Sequence, residues 1–225
     1  MNNFYDAFIS YGRADSKVFA EKLCDRLTSL GLKLWFDQND IPPSVDYQKE
    51  IDSGIERAHN FIFIIAPHSA KSIYCRKEID LALKYNKRII PLLHVKADRA
   101  EMHQEIRKFN WIYFQEEIDD FDKSFQDLMS SIRHRSNYVE QHTEFLVKAL
   151  EWERHQKQSN YLLIRKERLQ AKSWLKTPFN NEQPPCEPTD LHCEFICESS
   201  KNAKNLMAQV FISHASTIWD ILKLG

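Results

Sequence analysis

YDAFISYGRAD, residues 5–15, is the stretch on which the fold turns. With Phe4 before it, its first half is a short apolar run, FYDAFIS (4–10). That is the composition of a strand covered on both faces in a parallel sheet. Its second half breaks the run at Gly12 and then offers Asp15 and Ser16, side chains that cap helices. The helix expected next carries Val18, Phe19, Leu23, Leu27 and Leu30 on one face, with Gly31 as its stop. A strand running straight into a helix is the first half of a βαβ unit.

Working outward, the same alternation recurs. LKLWF (32–36) reads as a strand, and DQNDIPPSVD (37–46) as a turn-rich loop in which Pro42-Pro43 forbids regular structure. YQKEIDSGIERA (47–58) has helical spacing. NFIFIIA (60–66) is the most apolar run and belongs at the centre of the sheet. Ser69 or Ser72 opens a long helix through Tyr85, and RIIPLLHV (88–95) is a fourth strand. A helix over 101–109 and an edge strand at NWIYF (110–114) follow. Phe121, Phe125, Leu128, Met129 and Ile132 recur at helical spacing and close the domain. Such alternation implies a parallel sheet with right-handed crossovers. Ligands bind such sheets at the carboxyl ends of the strands, here the segments 11–16, 37–46, 67–74 and 95–100.

Beyond residue 136 the pattern changes. Residues 138–176 hold two helical stretches without Gly or Pro, TPFNNEQPPCEPTD (177–190) is a Pro-rich connector, and 191–209 suggests one more helix. The ending VFISHAS (210–216) resembles FISYGRADS (8–16). It reads either as the opening of a second, cut-off copy of the first unit or as a chance match of a short apolar segment. The expected organisation is a domain over 1–135, a helical extension over 136–209, and this fragment over 210–225.

Composition narrows the function. The chain has 225 residues, 43% hydrophobic and 28% charged, with a formal net charge of −1, so a globular core is expected. Basic residues are dispersed, which removes the electrostatic warrant for nucleic-acid binding. No run is long and apolar enough to span a bilayer, and MNNFYDAF lacks the pattern of a secretory signal. The five cysteines are few and odd in number, which suits a reducing cytoplasm. Cys186, Cys193 and Cys197 with His192 match no standard zinc spacing, so no metal site is expected. No G-x-G-x-x-G or G-x-x-x-x-G-K-[ST] is present, so neither a redox dinucleotide fingerprint nor a P-loop is supported.

Four separated blocks resemble the sequence boxes of the TIR (Toll/interleukin-1 receptor) domain family. They are YDAFISYGRAD (5–15), FDQNDIPPSVDYQKEID (36–52) in the place of the BB loop, SIYCRKEIDLAL (72–83) and NWIYF (110–114), in the family's order. The loop departs from animal adaptors, which carry an Arg-Asp pair and a Pro-Gly where Pro42-Pro43 stands here. The markers HTEFLVKALEWERH, LLIRKERLQAKSWL and PCEPTDLHCEFICESS are similar to the helical extension of some bacterial multidomain TIR proteins. The resemblance implies a flavodoxin-like α/β fold, a five-stranded parallel sheet with helices on both faces, followed by an α-helical C-terminal extension.

It also implies an activity. Enzymatic TIR domains cut the nicotinamide–ribose bond of NAD⁺, and a carboxylate near the anomeric centre stabilises the positive charge that develops on the ribose. The family's glutamate stands one turn into the helix after the third strand, four residues beyond an aromatic. Glu78 and Tyr74 occupy those positions, at i and i+4 on one helix face. Outside this box such a glutamate would read as a solvated helix residue paired with a lysine. Tyr74 is suited to stack on the nicotinamide, and Cys75 fills a packing position. Gly12 lets the backbone of the first loop approach a ligand, and Arg13 suits a phosphate, although a solvated arginine reads equally well. Tyr11 follows strand one, and Phe36 and Asp37 end strand two where they can face the same pocket, although Trp35 and Phe36 read more often as core; Ile41 is placed as an apolar lid residue. Asp40, Asp46 and His68 receive no role.

The expected protein is thus an NAD⁺ glycohydrolase or ADP-ribosyl cyclase of bacterial immune or stress signalling, antiphage defence among them. It would be cytoplasmic, active when copies self-associate through TIR–TIR contacts, and without a cofactor beyond NAD⁺ as substrate, a nucleic-acid partner or a membrane. Two other readings stay open: a TIR scaffold that associates without turnover, and a nucleoside deoxyribosyltransferase-like enzyme.

Overall fold

In the structure, a computed structural model, residues 4–36 and 46–222 are described, with backbone alone for residues 47 and 208–222. The chain divides into two compact units: residues up to Glu144 together with Glu182–Glu187, and Phe145–Asn181 with Pro188 onward.

The first unit is built on five strands: β1 (Tyr5–Ser10), β2 (Leu34–Trp35), β3 (Ala58–Ile65), β4 (Arg88–Leu93) and β5 (Ile112–Tyr113). They lie in the order β2-β1-β3-β4-β5, all parallel. This is the doubly wound, flavodoxin-like order, in which the connections reverse direction beside β1. β3 is buried along almost its whole length between β1 and β4, as its unbroken apolar run requires.

Five α-helices connect or close the sheet: α1 (Arg13–Ser29), α2 (Tyr47–Arg57), α3 (Pro67–Lys71), α4 (Ile73–Lys84) and α5 (Phe121–Arg133). α1 buries Phe19, Ala20, Leu23, Cys24 and Leu27, while Val18 and Leu30 are exposed. The true stripe is narrower than the apolar count suggests: Val18 lies about 100° around the helix from Phe19, and Leu30 is the C-cap residue itself. Gly31 follows with φ 87°, the left-handed conformation that ends the helix. The start differs from expectation as well. Gly12 is the N-cap, and Asp15 instead accepts from the backbone N–H of His68 at 2.7 Å. The helix expected through Tyr85 is two helices broken at Ser72, whose hydroxyl accepts from Cys75 N at 3.2 Å to cap α4.

The helix expected over 101–109 is reduced to one 3₁₀ turn, Ile106–Lys108. Side chains bond the carbonyls of this stretch. Arg107 donates to Ala100 O (3.0 Å) and Met102 O (2.7 Å), and the Trp111 indole donates to Ile106 O (2.9 Å). Met102 and Ile106 are buried without a regular helix around them.

The second unit is helical. α6 (Ser136–Arg154) begins in the first unit and runs into the second, followed by α7 (Arg165–Leu175) and α8 (Asp190–Leu222). Its core pairs Phe145 with Trp174 (5.5 Å between ring centroids) and Trp152 with Phe195 (5.4 Å). Residues 210–216, read in sequence as a second β1-like segment, have helical backbone within α8. The helical character expected of this extension is present in α6, α7 and α8. Among the described residues no helix is long and apolar enough to cross a membrane.

Candidate functional site

β1 ends on Ser10, and the chain turns at Tyr11-Gly12 directly into α1. β3 ends at Ile65 and turns into α3 and then α4. Because β1 and β3 are neighbours in the sheet, the two turns meet at the carboxyl end of the strands. Between them lies a cleft of about 470 Å³, within the size range of small-molecule sites. Tyr11, Gly12 and Arg13 form one wall, and Tyr74, Cys75 and Glu78 the other. His68, Ser72 and Ala14 complete it.

The turn that carries the first wall is held tightly. A Cβ on Gly12 would stand 2.6 Å from the backbone nitrogen of Ser69 and 3.0 Å from His68 Cβ. Only glycine lets α3 pack this close to the start of α1. Asp15 tethers the same point through His68 N, and Ser16 Oγ donates to Asp15 Oδ1 at 3.2 Å. His94, from the end of β4, lies 3.0 Å from Ser16 Oγ through Nδ1 and stacks on Phe19 at 4.3 Å. Burial pushes the His94 pKa below the usual histidine range, favouring the neutral ring. Cys75 Sγ donates to Tyr11 O at 3.6 Å, so this packing position also joins the two walls.

Glu78 is half-buried and receives a hydrogen bond from Ser10 Oγ at 2.5 Å. The bond links a strand end to a helix 68 residues away and fixes the carboxylate at the cleft wall. Tyr74, one turn earlier, is 60% exposed, so its ring is presented to solvent beside the carboxylate.

Of the residues singled out in sequence, the cleft gathers Tyr11, Gly12, Arg13, Tyr74 and Glu78. Phe36 is not among its lining residues. It packs against the core and stacks on Tyr11 at 5.2 Å, supporting that ring from behind. Asp37 and Ile41, with Asp40 and Pro42-Pro43, lie outside the described residues. Ser10 was overlooked. Its signal was present: one hydroxyl residue directly after the buried apolar run 7–9, at the carboxyl end of the strand. His68 and Ser72 also line the cleft, and nothing local marks them as a pair with the first loop. Among the described residues no group of three His, Cys, Asp or Glu side chains is arranged to hold a metal. His192 is buried and bonds Thr189 Oγ1 at 2.7 Å.

A doubly wound five-stranded sheet with a cleft at the β1 and β3 carboxyl ends has its cleft where open α/β sheets bind ligands. A model of the TIR domain family matches residues 7–129, and the chain belongs to that family. The TIR domain of the Toll-related receptor TRR-2 from Hydra magnipapillata superposes with a TM-score of 0.50 at 22% identity, over 57% of this chain and 98% of that one. Two curated relatives carry an activity in their names. The NAD(+) hydrolase TcpC of Escherichia coli O6:H1 is 29% identical over 98 residues, 41% of this chain and 32% of its own length. The NAD(+) hydrolase PdTIR of Paracoccus denitrificans is 26% identical over 133 residues, 57% of this chain and 44% of its own length. The chain therefore spans less than half the length of these relatives.

Proposed function

We propose that the first unit is an NAD⁺ glycohydrolase in which Glu78 acts on the ribose. The observation that carries this reading is the carboxylate of Glu78 on the wall of the cleft, oriented by Ser10 at 2.5 Å. Two relatives named as NAD(+) hydrolases support the substrate. The bond to be broken joins C1′ of the ribose to the pyridinium nitrogen. Its electron pair leaves with nicotinamide, which becomes neutral, and the ribose carries the positive charge. A carboxylate near C1′ stabilises that charge. The same group then takes the proton of the water that completes hydrolysis, or the ribosyl group is captured internally to give a cyclic product. Tyr74 stacks on the leaving ring, and Arg13 with the α1 N-terminus beside Gly12 holds the diphosphate.

Activity depends on association of copies, as the resemblance implies, and the setting is bacterial immune or stress signalling in the cytoplasm. The test is nicotinamide release from NAD⁺ at high protein concentration, with self-association measured in the same samples. Glu78→Ala is expected to lower the rate at least about 100-fold while association persists. An unchanged rate overturns the assignment. Association with no release by the unaltered protein at any concentration establishes the scaffold reading instead.

A further inference from the structure

The carboxyl end of the sheet holds a second cleft, between the 94–111 connection and the segment after β5, with a volume of about 650 Å³. It shares no lining residue with the Glu78 cleft. We infer that it is a binding site for a nucleotide, taking the phosphates on its arginines and the base against Trp111. The inference stands apart from the turnover proposed at Glu78.

Charge is the first observation. Lys96, Arg99, Arg107 and Lys108 line the cleft, and among the described residues no carboxylate does. Several nearby acids are engaged, while Glu116 and Glu117 stand exposed between the lining residues Gln115 and Ile118. Glu105 holds Lys108 at 2.7 Å, Glu101 pairs with Lys71 at 3.3 Å, and Asp98 accepts from Ala100 N at 2.9 Å. Lys108 is thus largely neutralised, and the cations the lining itself presents are Lys96, Arg99 and Arg107.

Preorganisation is the second. Arg107 donates through Nε and Nη2 to Met102 O and through Nη2 to Ala100 O, which sets its guanidinium plane on the cleft wall before any ligand arrives. The Trp111 ring is likewise fixed, by its indole N–H on Ile106 O at 2.9 Å. The bonds that replace the expected helix over 101–109 are therefore the ones that build this wall.

The third is the pairing of ring and cation. The Arg99 guanidinium carbon lies 5.1 Å from the centroid of the half-buried Trp111 ring, with Tyr113, 49% exposed, on the same cleft. Aromatic faces stack bases with little regard to sequence, and a planar guanidinium suits phosphate. A bare phosphate would use half of this surface and a nucleoside the other half. A nucleotide uses both.

The test is calorimetric titration of the full chain with ADP, beside adenosine and inorganic pyrophosphate. ADP is expected to bind at least about tenfold more tightly than either fragment, and to weaken as sodium chloride is raised. Arg99→Glu and, separately, Lys96→Glu are expected to weaken ADP about tenfold or more and leave nicotinamide release from NAD⁺ unchanged; both side chains are exposed, so folding is preserved. ADP-ribose replacing ADP with equal affinity identifies the nucleotide moiety as what is read. No heat with ADP overturns the proposal. So does pyrophosphate binding as tightly as ADP, or ADP affinity lost in Arg13→Ala and kept in Arg99→Glu, which places the ligand in the first cleft.

Discussion

The two ends of the sheet use polar side chains in opposite ways. At the amino end, below β3 and β4, charged groups are buried and tied to backbone. Lys87 Nζ donates to Glu56 O and Ala58 O, both at 2.8 Å, and to Thr143 Oγ1 at 3.3 Å. Arg88 donates through Nε to Asn60 Oδ1 (2.5 Å), through Nη1 to His134 O (2.5 Å) and through Nη2 to Ile132 O (2.6 Å), closing the end of α5. Asn60 passes the chain on to Asp6 O at 2.6 Å. At the carboxyl end, Glu78, Arg13 and Tyr74 line a cleft, and Ser10, Asp15 and Cys75 help bind them or their loops into place. Burial at the amino end pulls the Lys87 pKa down to about 7 and pushes the Cys186 thiol up to about 12. The difference teaches that a strongly perturbed pKa is not by itself the mark of a functional site: at the structural end of the sheet, desolvation of buried groups produces it.

Substitutions at the two ends break the comparison in different readouts. The largest effect is expected for Arg88→Met. It leaves the carbonyls of Ile132 and His134 and the Asn60 amide oxygen without their donor in a buried place, at a cost of about 3 kcal/mol. Thermal unfolding measures the loss, and nicotinamide release below the new midpoint should be close to that of the unaltered protein. Gly12→Ala comes next. Its methyl meets backbone at 2.6 Å, so the first loop and α3 must part. A destabilisation of about 2 kcal/mol is expected together with a fall in nicotinamide release, because the displaced backbone is the cleft wall. Loss of stability without loss of rate would separate the loop from the chemistry.

Ser10→Ala sharpens the carboxyl end alone. It removes the donor that orients Glu78, so kcat should fall about tenfold with KM little changed. A rise in KM with kcat intact would show that Ser10 serves ground-state binding. The smallest effect concerns His59, at the amino end. Desolvation, with Lys87 nearby, lowers its pKa from 6.5 to about 4. The folded state therefore binds fewer protons than the unfolded state between these values, and stability falls as pH drops through 6.5 toward 4. From pH 7 to 5.5 the contribution lost is about 1 kcal/mol. His59→Phe should flatten that part of the stability curve measured by urea unfolding.

Sequence alone determined the alternation of strands and helices, the central place of the NFIFIIA run, and the pairing of Tyr74 with Glu78 on one turn of helix. These follow from periodicity over a few residues, where backbone geometry leaves little choice. It could not see that Val18 and Leu30 face solvent, since a partner surface and not apolarity decides which residues of a helix are covered. It also could not see that side chains of Arg107 and Trp111 would take the carbonyls of the 101–109 segment. Tertiary structure alone set Ser10 against Glu78 across 68 residues of chain and seated Gly12 on Ser69 N. Such contacts depend on which strands become neighbours. That order, β2-β1-β3-β4-β5, is a property of the whole sheet and of no single segment.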